Sequence, residues 1–506
     1  MTSDLNPKWY NNSDQLRDYL VIYINGERHE IRGEQAFMTL SDYLRHEKQL
    51  TGTKVVCAEG DCGACTVLMA AVKPGSTTTE IQYQSINACI QFMHGLDCCH
   101  VITIEGLPEQ SPDKQGNQLH PVQQAMVQAQ ATQCGFCTPG FVMAAAGMME
   151  VKNKIKKQHA RNFLTGNLCR CTGYQSIINA MLDIKHENHS SIKDCYHNPQ
   201  LHQDLLTHSQ TAVRIQHQNN SFDAPLDSIS AAQALTSTEH KIFAASTDLG
   251  VQFNKGHWQK QRVVSLNLIE ELHHCELKDD CARIGARVTL SQLEKALCDV
   301  HPEWVAFMHI FASPQIKNNG TLIGNIANGS PIGDNLPFLL AMDARLNIQG
   351  PTTGRTVNLN DFYQAYRQMD LAADELITHV EIPNKADDCF LKLYKVSQRR
   401  DLDISCVSSA LMMRFDQHNQ LQAVAIALGG VAATAVRLKT AEQSLLGQHM
   451  GDLLQPEHIK ATAEMIANQV TPMSDVRGSE AYRKLLVANL YKKFMAELQA
   501  SHEVKA

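Results

Sequence analysis

The chain has 506 residues, 43% of them hydrophobic and 19% charged, with a formal net charge of -7. That length exceeds what one core supports and predicts roughly three or four domains, and the negative balance argues against a nucleic-acid or anionic-membrane partner. The longest nearly apolar stretch, Ala423 to Val436, falls short of the ~20 residues of a membrane span, and the N-terminus lacks the features of a signal peptide, so a cytoplasmic chain with reduced cysteines is expected.

Residues 1–20, rich in Asn, Asp and Ser, read as a loosely ordered leader. Val21 to Ile31 reads as two strands about Asn25-Gly26, a strong hairpin signal, and opens a β-rich unit expected over 21–106. Within it, Cys57-x4-Cys62-x2-Cys65 and the more distant Cys89 supply four thiolates, the complement of a [2Fe–2S] cluster, in the spacing of a plant-type ferredoxin loop. Gly60 and Gly63 let this loop curl so that backbone N–H groups face sulfur. A structural zinc site is the alternative for an isolated Cys-x2-Cys; the x4 spacing and the remote fourth cysteine favour iron. Cys98 and Cys99 fit no ligand spacing and read as structural.

The next unit, 107–187, reads as helical: Pro121 and Pro139 can each start a helix, and apolar residues recur at helical spacing from Phe141 to Met149. Cys134-x2-Cys137 alone would resemble a thioredoxin redox pair. Cys169-x-Cys171, on a Gly-flanked turn, adds two thiolates that a dithiol enzyme does not need, so a four-thiolate metal site fits better, zinc or iron, and the first set favours iron. Residues 188–220 are polar and weakly periodic, as in a linker crossing the surface. The six cysteines beyond Cys171 are scattered and read as buried apolar residues.

Strand-like and helical patches alternate over 221–385 as in an α/β domain. Lys241 to Gly250 is an apolar strand opening into a turn of small and polar residues, and Asn319 to Asp334 is a second loop dense in glycine, amides and hydroxyls; such turns can offer N–H groups to a phosphate. Either alone is weak evidence, since most glycine-rich turns only turn. Residues 386–506 bring longer strand-like runs, including Ala423 to Leu428, and a closing helix over Ser479 to Ala500. There is no internal repeat of fixed period.

The strings CAEGDCGACTV, QCGFCTPGFVM and GNLCRCTGY, in this order, resemble the iron–sulfur domains of the xanthine dehydrogenase and aldehyde oxidase family over residues 21 to about 185. The two phosphate-type loops resemble the flavin domain of the same family. The resemblance implies an α+β multidomain chain with a β-grasp plant-type ferredoxin domain, a four-helix [2Fe–2S] domain, and a two-subdomain α/β FAD-binding domain with a C-terminal antiparallel α+β subdomain. Cys57, Cys62, Cys65 and Cys89 would hold one cluster and Cys134, Cys137, Cys169 and Cys171 the other, with Gln133 touching a pterin. FAD would lie against Ile242, Phe243, Ala244, Ala245, Ser246, Thr247, Asp248 and Leu249, and against Thr321, Gly324, Asn325 and Asp334. Phe311 would lie near its ring system, Ile377 would contact it, and Lys395 would stand beside the flavin, where a cation stabilises the anionic reduced ring. Arg399, Arg400 and Asp403 read as a structural ion-pair cluster.

The segment Glu480 to Leu485 resembles the end of that flavin domain, and the chain stops soon after. A separate molybdenum–pterin subunit is therefore expected, in a dimer of heterodimers, and it would carry the residues that hydroxylate the substrate. Electrons would run from molybdenum to the second cysteine set, then the first, then FAD and NAD+, during oxidation of hypoxanthine and xanthine to urate. An aldehyde or another N-heterocycle is the alternative substrate, and a zinc-stabilised interaction scaffold the alternative of another class. Two departures from the family pattern stand out: Ala245 and Ser246 stand where a glycine and usually Gly or Asn are expected, and Ile323 replaces the first of two adjacent glycines. Because a β-branched residue resists positive φ, Ile323 leads us to expect an altered loop or FAD affinity.

Overall fold

The computed structural model of the chain describes residues 16–76, 81–107, 119–152, 154–184, 191–196, 198–235 and 239–503. The first unit is a five-stranded mixed sheet in the order Glu27–Ile31, Leu20–Ile24, Cys99–Ile102, Thr66–Ala71, Gln84–Asn87. Its hairpin closes at Ile24 and Glu27 over Asn25 (φ 51°) and Gly26 (φ 86°), two left-handed residues, as a two-residue turn requires. Leu20–Ile24 pairs in parallel with Cys99–Ile102, which places the first and last strands side by side at the centre of the sheet.

Most of the expected leader, residues 1–15, lies outside the described residues. Arg17, by contrast, is a buried anchor: its guanidinium holds Asp97 at 3.0 and 2.7 Å and the carbonyls of His208 and Thr211 at 2.9 and 3.2 Å. The stretch read as a surface linker also differs from expectation. It contains the helices Ile192–Cys195 and Pro199–Ser209, and Leu201 and Leu205 of the second pack on Val21 and Tyr23 of the central strand. Two leucines four residues apart make a stripe too narrow to stand out among so many Asn, Gln and His residues.

Four helices, Pro121–Gln128, Thr138–Met149, Lys157–Phe163 and Gln175–Leu182, form the second unit. Thr138–Met149 is buried from Gly140 to its end, because Leu68, Ala70 and Tyr83 of the ferredoxin sheet cover it on one side and its sister helices on the other. It meets the cysteine loop without clearance: a Cβ on Gly140 would stand 2.2 Å from the carbonyl oxygen of Gly63. Gly140→Ala is therefore expected to cost about 1–3 kcal/mol as an overpacking defect, read from the denaturant midpoint; an unchanged midpoint would mean that helix and loop can part freely.

Besides a two-stranded ribbon of Tyr363–Ala365 and Gln368–Met369, the flavin half holds three larger sheets among the described residues. The first, ordered Val213–His217, Asn220–Ala224, Arg262–Ser265, Lys241–Phe243, has two parallel pairings and shares one hydrophobic core with the ferredoxin unit, the rings of Phe222 and Phe243 each lying 4.9 Å from that of His94. The second, five-stranded and antiparallel, is ordered Cys275–Leu277, Cys281–Gly285, Leu376–Pro383, Arg345–Gln349, Gly354–Asn358. The last, Phe390–Val396, Val407–Phe415, Leu421–Gly429 and Val436–Arg437, is antiparallel and packs on the helix Glu480–Glu503. Among the described residues no helix is long and apolar enough to cross a membrane.

Candidate cluster and flavin sites

The loop from Cys57 to Cys65 curls over Gly60 (φ 80°) and Gly63 (φ 65°). Cys57 lies within hydrogen-bonding reach of Cys62 and Cys89, and Cys89 of Cys65, so all four thiols of the first set come together. Cys65 and Cys89 are buried, whereas Cys57 and Cys62 are half-buried. The Glu59 N–H donates to Cys57 Sγ at 3.4 Å, which favours a thiolate there. Hydrogen bonds with Cys62 and Cys89 hold Cys57 far below the ordinary thiol range and push those two partners up.

The second set also assembles. Cys134 and Cys171 stand 3.6 Å apart, sulfur to sulfur, and Cys137 is within hydrogen-bonding reach of Cys169. The Thr172 N–H donates to Cys169 Sγ at 3.5 Å. Cys134 and Cys171 are exposed, flanked by Phe136, Leu168 and Tyr174, which are 49%, 42% and 39% exposed. Gln133 is exposed beside them. Among the described residues no three His, Cys, Asp or Glu side chains converge on one metal position. Here the thiols pair two by two, the division that a [2Fe–2S] centre makes between its irons.

Hydrogen bonds tie the two cysteine loops and the flavin half together. Leu168 N, next to Cys169, donates to the Cys62 carbonyl at 2.9 Å. Asn167 donates to Gly63 O at 3.0 Å and accepts from Gln315 of the flavin half at 2.9 Å; both side chains are buried. On the other side, Asn254 Nδ2 donates to the carbonyls of Ala58 and Cys89 at 2.8 and 2.9 Å. Its helix, Leu249–Asn254, lies so close that a Cβ on Gly250 would stand 2.1 Å from Ile90 O.

The expected flavin residues fall into several environments. Ser246 is buried, Ile242, Ala244, Ala245, Thr247 and Leu249 half-buried, and Asp248 exposed. Thr247 approaches Gly320, whose Cβ would lie 3.5 Å from Thr247 Oγ1, so the two phosphate-type turns adjoin. Thr321 caps the helix Leu322–Ala327 by accepting from Gly324 N at 2.9 Å, Gly324 is exposed, and Asn325 is half-buried beside it. These adjoining turns and the uncovered Gly324 leave backbone room that suits a diphosphate. Lys395 pairs with Asp334, and Ser405 Oγ donates to the other oxygen of Asp334 at 2.5 Å. Phe311 is half-buried against the same core cluster that buries Ile377, and the Phe243 side chain lies in the core shared with the ferredoxin unit. Arg399 pairs with Asp403 at 2.6 Å in the open, a structural pair.

Ile323 is buried inside the Leu322–Ala327 helix, and neither it nor Ala245 nor Ser246 has positive φ. The strain expected at Ile323 is therefore absent, because a helical residue needs only negative φ. Ser246 has gained a partner: its Oγ donates to Gln91 Oε1 at 2.7 Å, which also accepts from Asn319 at 2.6 Å. Gln91, Asn254, Gln315 and Ser405 are the residues the sequence left unmarked. Only the position of Gln91, two residues after Cys89, offered a signal. Of the six cysteines read as buried, Cys389 and Cys406 are; Cys195, at the end of a short helix, and Cys298, in the turn after Leu290–Ala296, are exposed, while Cys275 on an edge strand and Cys281 at the start of the strand beside it are half-buried.

Four family models match in succession: 2Fe-2S iron-sulfur cluster binding domain over 22–94, [2Fe-2S] binding domain over 103–182, FAD binding domain in molybdopterin dehydrogenase over 222–385, and CO dehydrogenase flavoprotein C-terminal domain over 392–498. Xanthine dehydrogenase of Drosophila subobscura is 27% identical over 95% of this chain and 39% of its own, and xanthine dehydrogenase 1 of Arabidopsis thaliana 28% over 96% and 40%. The chain thus spans about two fifths of the length of these curated relatives. Among solved structures, the carbon monoxide dehydrogenase from Hydrogenophaga pseudoflava shares the fold over 54% of this chain and 94% of its own, at a TM-score of 0.50 and 24% identity.

Proposed function

We propose, from the premise that this chain belongs to the molybdenum hydroxylase family as an iron–sulfur and FAD oxidoreductase, that it is the electron-transfer subunit of a cytoplasmic xanthine dehydrogenase. The observation that carries this is the Leu168 N–H bonded to the Cys62 carbonyl, which joins the two cysteine loops directly. In this reading Cys134, Cys137, Cys169 and Cys171 hold the cluster nearer a partner's molybdenum–pterin, and Cys57, Cys62, Cys65 and Cys89 the cluster nearer FAD. Bound there, these groups would supply one-electron transfer and two-electron collection for NAD+. Two features support the direction: the second set lies among exposed apolar side chains that a molybdenum subunit could cover, and Asn254 fastens the carbonyl of buried Cys89 to the flavin half.

The chain's own residues then have distinct tasks. Gln91 holds Ser246 and Asn319 together, fixing both phosphate-type turns to the short turn Ala88–Ile90 that carries Cys89. Lys395, compensated by Asp334, would stand beside the flavin. The partner would carry the purine and its hydroxylating groups.

Anaerobic isolation of the native complex tests the reading. About four irons per FAD are expected, the sum of two [2Fe–2S] centres, and xanthine should bleach the flavin and reduce NAD+. Bleaching by an aldehyde alone would defeat the purine assignment, and a colourless zinc-loaded protein would defeat the whole reading.

A further inference from the structure

A cavity of about 570 Å3 opens where the ferredoxin sheet, the end of the helical unit and the flavin half meet, and none of the expected cluster or flavin residues lines it. Its volume is that of a small-molecule pocket. Lys73, Arg287 and Lys295 line it, and among the described residues Glu150 is the one carboxylate there; Glu150 already accepts from the backbone N–H groups of Ile192 and Lys193 at 2.8 and 3.4 Å.

Arg287 is the unusual member. Its Nε and Nη1 are buried without a hydrogen-bond partner. Among the described residues the one ionisable group that acts in favour of its charge is the Cys99 thiol, and burial pushes that thiol up to about 12, so it stays protonated and offers no counter-charge. Burial, and next to it Arg287, hold His273 down at about 3, as a neutral ring whose Nε2 contacts Asn267 O at 2.9 Å. A guanidinium buried with no opposite charge is costly and persists where something repays it.

We propose that this cavity binds a small molecule bearing phosphate groups, with Arg287 as its anchor, the exposed Lys73 and Lys295 at its mouth, and Met69, Val72 and Leu206 as an apolar wall. A guanidinium suits a phosphate's paired oxygens. The chemistry is shared by a nucleotide and by inorganic polyphosphate; the apolar wall and the volume leave room for an organic part. Asn318 and Asn319 also line the cavity and reach Ser85 O at 2.9 Å and Gln91 at 2.6 Å. An occupant would thus brace the joint between the ferredoxin sheet and the turn that carries Ser246.

Calorimetric titration of the iron- and FAD-loaded protein with inorganic pyrophosphate, and separately with AMP, tests this, with bound FAD keeping the probes out of the flavin's own phosphate turns. Saturable binding of at least one probe is expected, weakened about tenfold or more, roughly one 1.4 kcal/mol step, in Arg287→Gln. Tighter AMP would identify a nucleotide site and tighter pyrophosphate an inorganic one. Lys295→Gln, at an exposed position that folding does not need, should weaken binding and flatten its salt dependence. No saturable binding by either probe, or equal affinity in both variants and the parent, would overturn the proposal.

Discussion

Replacing Lys395 by methionine should destabilise the flavin half by about 3–5 kcal/mol, the cost of removing one partner from a buried ion pair. The side chains of Lys395 and Asp334 are 2% and 5% exposed, so water cannot take over when the ammonium is lost. Asp334 would keep only the Ser405 hydroxyl, at 2.5 Å, and one neutral hydrogen bond does not balance a buried carboxylate. The double variant Lys395→Met with Asp334→Leu should recover much of the loss, because no charge is then left unpaired. If the proposed role beside the flavin holds as well, that double variant will be stable yet retain less FAD, a separation that unfolding temperature and flavin content measure together. A single Lys395→Met variant as stable as the parent would show that the pair contributes nothing.

Stability should also fall steeply between about pH 6.5 and pH 4. Burial lowers His94 to about 3, and His100 and His301 to about 4, and all three are fully buried. The His94 ring lies between Phe92 and Phe222, at 5.1 and 4.9 Å between centroids, so the joint between the ferredoxin unit and the flavin half encloses it. The sign follows from which state takes up the proton first. The unfolded chain protonates near the ordinary value of about 6.5, the folded chain only below its lowered values, so the stabilisation is complete above pH 6.5 and is lost as pH falls toward 4. Each histidine contributes about 1.4 kcal/mol per pH unit in that window, so the three together contribute about 4 kcal/mol per unit against a typical total of 5–15. Unfolding temperature from pH 7.5 to 5 measures this, and His301→Leu, whose ring nitrogens have no hydrogen-bond partner, should lower the slope by about 1.4 kcal/mol per pH unit. A flat profile would show that these rings ionise without unfolding.

Local sequence was enough wherever the chemistry is held within a few residues. The Asn25-Gly26 turn, the curled Cys57–Cys65 loop and the proline-started helices follow from backbone preference and spacing, and the structure has each of them. The linker was misjudged because the partner of Leu201 and Leu205 is a strand far upstream, and Ile323 because its neighbours looked like a loop until Thr321 capped them into a helix.

The sequence by itself determined the two sets of four thiols and the phosphate-type turns, since thiolate count, glycine position and hydroxyl density are properties of short segments. Only the tertiary structure decided how they are joined, Gln91 to Ser246, Asn254 to Cys89 and Gln315 to Asn167, and that Arg287 Nε and Nη1 are buried without a hydrogen-bond partner. Contacts between residues more than a hundred positions apart leave no period or motif, because their energy depends on burial and on a partner that the folded chain alone brings within reach.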